Sequence, residues 1–307
     1  MNKICVLGSL NMDVVLKVDS MPVVGQTIIG NSLSTIPGGK GANQAVAARR
    51  AGAEVYMIGK VGTDEYGERL LEKLCKENIN IQHVHKDSSL PTGTAIITVD
   101  GQGGNFIIVI SGTNMAFTLS ELTVAEEVIT KCEVLLCQFE TKMDITLDAF
   151  KMAKRNGVIT LLNPAPARTV TEELLRYTDI IIPNETEALE LTGVRVEDLE
   201  TAGQAAKHFF DAGVKYVIIT LGEKGAVLAG RNHMERIPAY QVKAVDTTAA
   251  GDSFIGAFAS KLRGPELDYN DLKEAVIFGN KAAALAVQRE GAQPSIPSLK
   301  EITEAYR

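Results

Sequence analysis

The sequence contains no long basic run, and its formal net charge is -7. A surface built to neutralise nucleic-acid phosphates is therefore disfavoured. A small polyanionic substrate would have to be held by local dipoles, a metal or a few cations. No apolar stretch is long enough to span a membrane, and no signal-peptide pattern precedes the first apolar run. A cytoplasmic protein is expected. The four cysteines, Cys5, Cys75, Cys132 and Cys137, show neither CxxC nor Cys/His metal spacing. Cys5, Cys132 and Cys137 lie in or beside apolar runs, the setting of buried reduced thiols, which fits the same compartment. Internal repeats and low-complexity tracts are absent.

What remains is an ordinary globular composition, 45% hydrophobic and 22% charged over 307 residues. That length permits one large domain, or one domain with an appendage. Continuous apolar runs at Ile4–Leu7, Val55–Ile58, Val134–Cys137, Ile159–Leu162, Asp179–Ile182 and Val217–Thr220 read as strands covered on both faces. Helical patterns alternate with them, at Ala42–Arg50, Gly67–Lys76, Ile145–Arg155, Thr186–Leu191 and Ala202–Phe210. An α/β fold with a largely parallel sheet follows, its ligand beyond the C-terminal strand ends. Two segment pairs break the alternation: Asp13–Val18 with Gln26–Gly30, and Thr94–Val99 with Phe106–Ile110. The second pair flanks Asp100-Gly-Gln-Gly-Gly-Asn105, a hairpin signal. These four strands are expected to form a small separate sheet, a lid whose other face needs a partner.

The segment Ala244-Val-Asp-Thr-Thr-Ala-Ala-Gly-Asp-Ser-Phe254 is the most informative. Ala249, Ala250 and Gly251 have little or no side chain, Asp252 follows, and Phe254, Phe258 and Leu262 then recur four apart as a buried helix face. Free N–H groups and the positive helix end converge there on an anion. Asp252 is either a base beside a phosphate or a simple N-cap.

Gly38-Gly-Lys-Gly-Ala-Asn-Gln44 opens a helix, as a ligand-approaching loop or only a tight helix entry. It lacks the Ser or Thr of a Walker A loop and the glycine spacing of a dinucleotide fingerprint. Asn11 and Asp13 project from one face of an extended segment, suiting a polyol unless they form an Asx-turn. Glu140 ends an apolar strand. Asn184 and Glu187 fit a capping box, or a site for hydrated Mg2+. Thr220-Leu-Gly-Glu-Lys-Gly225 is either a nucleotide-facing turn or a plain hairpin.

Taken together and in order, Gly38–Gln44 and Asp246–Asp252 resemble the two signatures of the ribokinase-like (PfkB) carbohydrate kinases. Gly8-Ser-Leu-Asn-Met-Asp13, Asn163-Pro-Ala-Pro-Ala167, Pro183-Asn-Glu-Thr-Glu187 and Gly291-Ala-Gln-Pro-Ser295 fit the same family over essentially the whole chain. The resemblance implies a three-layer α/β/α domain over residues 1–10, 38–92 and 112–307. A β-sheet lid over 11–37 and 93–111 would clasp a second subunit's lid in a homodimer.

The resemblance also implies transfer of the ATP γ-phosphoryl group to the primary hydroxyl of D-ribose, with 2-deoxyribose or a nucleoside as the alternative acceptor. Asn11, Asp13, Gly39, Lys40, Gly41, Ala42, Asn43 and Glu140 would surround the sugar. Asp252 would both contact the sugar and be the base, and the amides of Ala249, Ala250, Gly251 and Asp252 an anion hole. Asn184, Asn280, Gly251 and the turn Thr220, Leu221, Gly222, Glu223, Lys224 and Gly225 would line the ATP site, with Glu187 acting on Mg2+. An activating K+ would lie around Asp246, Thr248, Ala286, Arg289, Gly291 and Ser295. Two departures stand out. Ala249-Ala250 replaces the Gly-Ala of many members, and Asn280 stands where some have His. A dinucleotide-dependent oxidoreductase is disfavoured, because Gly8-Ser-Leu-Asn-Met follows the first strand in place of a Gly-x-Gly-x-x-Gly.

Overall fold

The apolar runs become strands packed on both sides. The computed structural model describes residues 2–306; Met1 and Arg307, the ends of the expected α/β domain, lie outside the described residues. In chain order the strands are β1 (Lys3–Leu7), β2 (Asn11–Lys17), β3 (Ser32–Gly38), β4 (Glu54–Gly62), β5 (Asn80–Asp87), β6 (Gly93–Val99) and β7 (Asn105–Ile110). There follow β8 (Val134–Cys137), β9 (Ile159–Leu162), β10 (Ile180–Ile181), β11 (Tyr216–Thr220), β12 (Ala226–Gly230) and β13 (Met234–Ile237). Nine form one sheet in the order β13-β12-β11-β10-β9-β8-β1-β4-β5. It is parallel from β11 to β5, and β12 and β13 extend one edge antiparallel.

Side chains alternate between two cores, as a repeat of two along a strand requires. Ile4 and Val6 of β1 pack into one core, Cys5 and Leu7 into the other. The first core also receives Ala42 and Val46 of helix Lys40–Arg50, and Phe254 and Phe258 of helix Ala250–Ala259. The second receives Phe150 of helix Met143–Arg155 and Phe209 of helix Leu199–Asp211. Both faces of the sheet are thus covered by helices, which explains the near-absence of polar residues in its central strands.

The remaining four strands form a second sheet, β3-β2-β6-β7, in which β2 and β6 run parallel and the outer pairs antiparallel. The hairpin expected at Asp100 is present. Its carboxylate accepts from Gln102 N–H at 2.9 Å and Gly104 N–H at 2.8 Å. One expectation is corrected: Gln26–Gly30 is not a strand. The partner of β2 is β3, registered from Asn11 opposite Gly38 to Lys17 opposite Ser32. The apolar pair Ile28-Ile29 suggested a strand, yet Ile29 is 92% exposed in a loop opened by Pro22 and by Gly25 at φ 86°. β3 is disguised by Ser32, Ser34, Thr35 and Pro37, which an edge strand tolerates. The polar edge strand β5 and the short β13 carried no clear sequence signal. Among the described residues, no helix is long and apolar enough to cross a membrane.

Candidate active site

Glycines at the end of β3 let the first helix approach the turn after β1. Gly39 has φ 88°, and a Cβ there would lie 2.7 Å from Asn11 N; one at Gly41 would lie 2.5 Å from Ser9 N. Only glycine fits either position. The helix start is tied down by Glu140, which accepts from Lys40 N–H at 3.0 Å and from the Ser9 hydroxyl. The same Ser9 oxygen accepts from Gly41 N–H at 3.2 Å. Glu140 therefore serves first as an anchor for the loop, from the end of a central strand.

That helix packs at contact distance on helix Ala250–Ala259. A Cβ on Gly256 would lie 2.4 Å from Ala47 Cβ and 2.6 Å from Gln44 O. One turn earlier, the buried Asp252 carboxylate receives two amide donors: Asn43 Nδ2 at 2.9 Å on Oδ2, and Gln44 Nε2 at 2.9 Å on Oδ1. The rival reading of Asp252 as N-cap does not hold, since the cap position is Ala249. Ala249 has φ 58°, a left-handed conformation costing a non-glycine residue about 1–2 kcal/mol. Strain of this kind gathers at functional sites. Ala250 N–H reaches Thr247 O at 3.2 Å, whereas, among the described residues, the amides of Ala249, Gly251 and Asp252 have no protein acceptor. Three of the four expected anion-hole donors are thus free.

Asp13 is close enough to Glu140 and Asp252 for their charges to act on it. Its carboxyl is pushed from 3.8 up to about 7, first by burial and then by the negative charges of Glu140 and Asp252. Burial lowers the Lys40 amine, but Asp252, Glu140 and Glu187 outweigh it and hold that group above its usual value. Asn11 is oriented by a residue the sequence did not reveal. Asn114 Nδ2 donates to Asn11 Oδ1 at 2.7 Å, while Asn114 Oδ1 accepts from Leu10 N–H at 2.9 Å. The Asn11 carbonyl is thereby occupied and its NH2 is left as a donor. The Asn43 carbonyl oxygen is buried without a partner. Donor, carboxylate and unpaired acceptor together are what the hydroxyls of a polyol require.

Two cavities meet at the start of helix Ala250–Ala259. The smaller, about 230 Å³, is bounded by Lys40, Asn163, Glu187, Gly251 and Asp252. The larger, about 620 Å³, runs past Thr220, Gly222, Glu223, Gly225, Gly251 and Asn280. Asn184, Thr220, Thr247 and Gly251 border both. Asn280 Nδ2 is held by Pro238 O at 3.1 Å and Ile237 O at 3.3 Å. Of the expected turn, Leu221 packs into the second core and the exposed Lys224 does not border the groove. Asn184 and Glu187 do form the capping box, with Asn184 N–H on Glu187 at 2.9 Å and Glu187 N–H on Asn184 at 2.8 Å. Glu187 nevertheless borders the small cavity. Burial, with Asp252 and Glu190 adding, raises its carboxyl against the opposing pull of Asn184 N–H and Lys40.

Just before the start of helix Ala250–Ala259, Asp246 ties two loops together. It accepts from Thr248 N–H at 2.8 Å and Thr248 Oγ1 at 2.6 Å, and on its other oxygen from Gly291 N–H at 2.8 Å. Ala286 O takes Arg289 N–H at 3.1 Å, and Ser295 Oγ donates to Ala292 O at 2.7 Å. The Arg289 guanidinium turns away to Glu301 at 2.6 Å. These loops carry carboxylate, hydroxyl and carbonyl oxygens, the donor type a hard cation takes.

A doubly covered sheet, a small second sheet and an acid at a strained helix start describe a sugar-phosphorylating enzyme class. The chain belongs to the pfkB family of carbohydrate kinases, whose pattern matches residues 1–299. It is 41% identical over 304 residues to a ribokinase of Staphylococcus aureus, covering 99% of each chain. A ribokinase of Haemophilus influenzae is 43% identical over 301 residues, 97% of this chain and 96% of that one. A ribokinase of Arabidopsis thaliana solved in complex with ribose and ATP superposes with a TM-score of 0.91 at 31% identity, over 99% of this chain and 98% of that one.

Proposed function

We propose that this carbohydrate kinase phosphorylates D-ribose on its 5-hydroxyl with ATP, using Asp252 as general base. The observation that carries this reading is the position of Asp252, buried at a helix start where the two cavities meet. The sugar lies against Asn11, Asp13 and Asn43, the nucleotide along the groove past Thr220–Gly225 and Asn280. Each Asp252 oxygen has one amide donor and keeps lone-pair capacity for an alcohol proton. A primary alcohol is a weak nucleophile at neutral pH, and a positioned base accelerates its attack roughly 10²–10⁴-fold. The free amides of Ala249, Gly251 and Asp252 face the charge that spreads over the transferring phosphoryl oxygens. Lys40, held protonated by its carboxylate neighbours, adds a cation on the same side.

Glu187 would hold hydrated Mg2+, which when bound neutralises phosphate charge. Asp246, Thr248, Ser295 and the carbonyls of Ala286, Arg289 and Gly291 would hold K+, fixing the loop that shapes the anion hole. Turnover should then fall when Na+ replaces K+, and indifference to the cation would remove that site. The second sheet acts as a lid over the sugar, and its residue ranges, 11–37 and 93–111, form the mobile unit. On β7, Phe106 is 61% exposed and Ile107 to Ile110 about half exposed. A second copy's lid covers this surface in a homodimer, so sedimentation should give twice the chain mass. The buried thiols of Cys5, Cys132 and Cys137 suit a reducing cytoplasm.

A vicinal diol is preferred over a 2-deoxy sugar, because the buried Asn11 donor and Asp13 acceptor both need partners. The experiment is a coupled assay of ADP release. Ribose should support turnover with a kcat/KM at least about tenfold above that for 2-deoxyribose. Equal values, or no ribose-dependent ADP, would overturn the assignment.

A further inference from the structure

Behind Asp252 lies a run of buried amides that the proposed reaction does not use directly. Gln138 Nε2 donates to Gln44 Oε1 at 2.6 Å. Gln44 Nε2 in turn donates to Asp252 Oδ1 at 2.9 Å and to Asn163 Oδ1 at 3.0 Å. Asn163 Nδ2 is held by Ile182 O at 3.1 Å. Gln44 and Gln138 are fully buried. The direction of the chain is fixed from its far end: because Gln138 occupies the Gln44 carbonyl, the Gln44 NH2 must face Asp252. Gln138 Oε1 has no protein partner and packs against Gly8, where a Cβ would lie 2.2 Å away. An unpaired buried acceptor is a cost, which this arrangement bears in keeping Gln138 pointed at Gln44.

The terminal torsion of an aspartate is broad and roughly two-fold, so the side chain alone does not fix the plane of its carboxylate. Asn43 and Gln44 grip one oxygen each from consecutive residues of a single helix. That helix is locked on the helix of Asp252 at Gly256, where no side chain fits. We propose that Gln44 is the positioning residue of Asp252, holding the carboxylate plane so that a lone pair stays directed at the sugar alcohol, with Gln138 keeping Gln44 in that orientation. This rests on Asp252 acting as the base.

The test is steady-state kinetics on Gln44→Leu, alone and combined with Asp252→Asn, with thermal melting as a control for folding. Gln44→Leu should lose roughly 10–100-fold in kcat, while KM for ribose moves less than about threefold. On the Asp252→Asn background the same substitution should change kcat by less than about twofold, because the residue acts through the base. Gln138→Leu leaves Gln44 in place but free to turn. It should show the same split, with about a 3–10-fold loss in kcat, and it decides the matter where Gln44→Leu does not fold. Near-normal kcat in folded protein, a KM effect with kcat intact, or an undiminished loss on the Asp252→Asn background each overturns the inference. Full turnover in Asp252→Asn alone would instead show that the base assignment has failed, and the inference with it.

Discussion

Asp13 illustrates what a buried carboxyl beside two others costs the fold. Burial, then Glu140 and Asp252, raise its carboxyl from 3.8 to about 7. The folded chain therefore holds this proton more tightly than the unfolded chain does. The stability contribution consequently falls as pH rises from about 4 to about 7, and stays low above that. At pH 8 the penalty is on the order of 2–4 kcal/mol. Asp13→Asn should raise the urea-unfolding free energy of the sugar-free protein by about 1–3 kcal/mol at pH 8, and by less at pH 5, while weakening ribose binding. No gain at pH 8, or a gain that ignores pH, would contradict this. At this scale the sequence was informative where chemistry and local conformation coincide. Asp252 announced itself by following three small residues at a helix start. Gln44, Gln138 and Asn114 did not, because amide partners distant in sequence leave no local pattern. Gln44 and Gln138 are 94 positions apart, and Asn114 and Asn11 are 103 apart.

Among the elements, the close crossing of helices Lys40–Arg50 and Ala250–Ala259 sets the site. Both bear cavity-lining residues at their first turns, Lys40 on one and Gly251 and Asp252 on the other, and their separation is fixed at Gly256. Gly256→Val would force the helices apart, since its added atoms have no space beside Ala47 Cβ and Gln44 O. A loss of about 1–3 kcal/mol in stability is expected from overpacking, with kcat falling further than the stability change alone explains. Circular dichroism melts with kinetics on the folded fraction check it; wild-type turnover in that fraction would contradict it. Central strands were legible to the residue at β8 and β9, because burial on both faces leaves unbroken apolar runs. β3 was misplaced and β5 missed for the converse reason: edge strands accept serine, proline and histidine, and their pairing is decided by the neighbour, not the composition. The capping box at Asn184 and Glu187 was readable as a local rule. Its placement at the rim of a cavity was not.

At the level of the whole molecule, the sheet order brings the loop after β1, the end of β8 and the helix after residue 249 to one edge. Asp252 lies there, at the border of the two cavities, beside the amides of Gly251 and Asp252 that have no protein acceptor among the described residues. Residues that touch at this edge are far apart in the sequence: Asn43 and Asp252 are separated by 209 positions. Their convergence was available only through the family resemblance, which orders the motifs without placing them. The most direct measurement is turnover of purified, folded Asp252→Asn with ribose and Mg-ATP, beside ribose affinity by calorimetry. Expected is a kcat lower by roughly 10²–10⁴-fold with ribose Kd within about threefold of the unmodified protein. A kcat within a few-fold of the unmodified protein would contradict the assignment of Asp252 as the base.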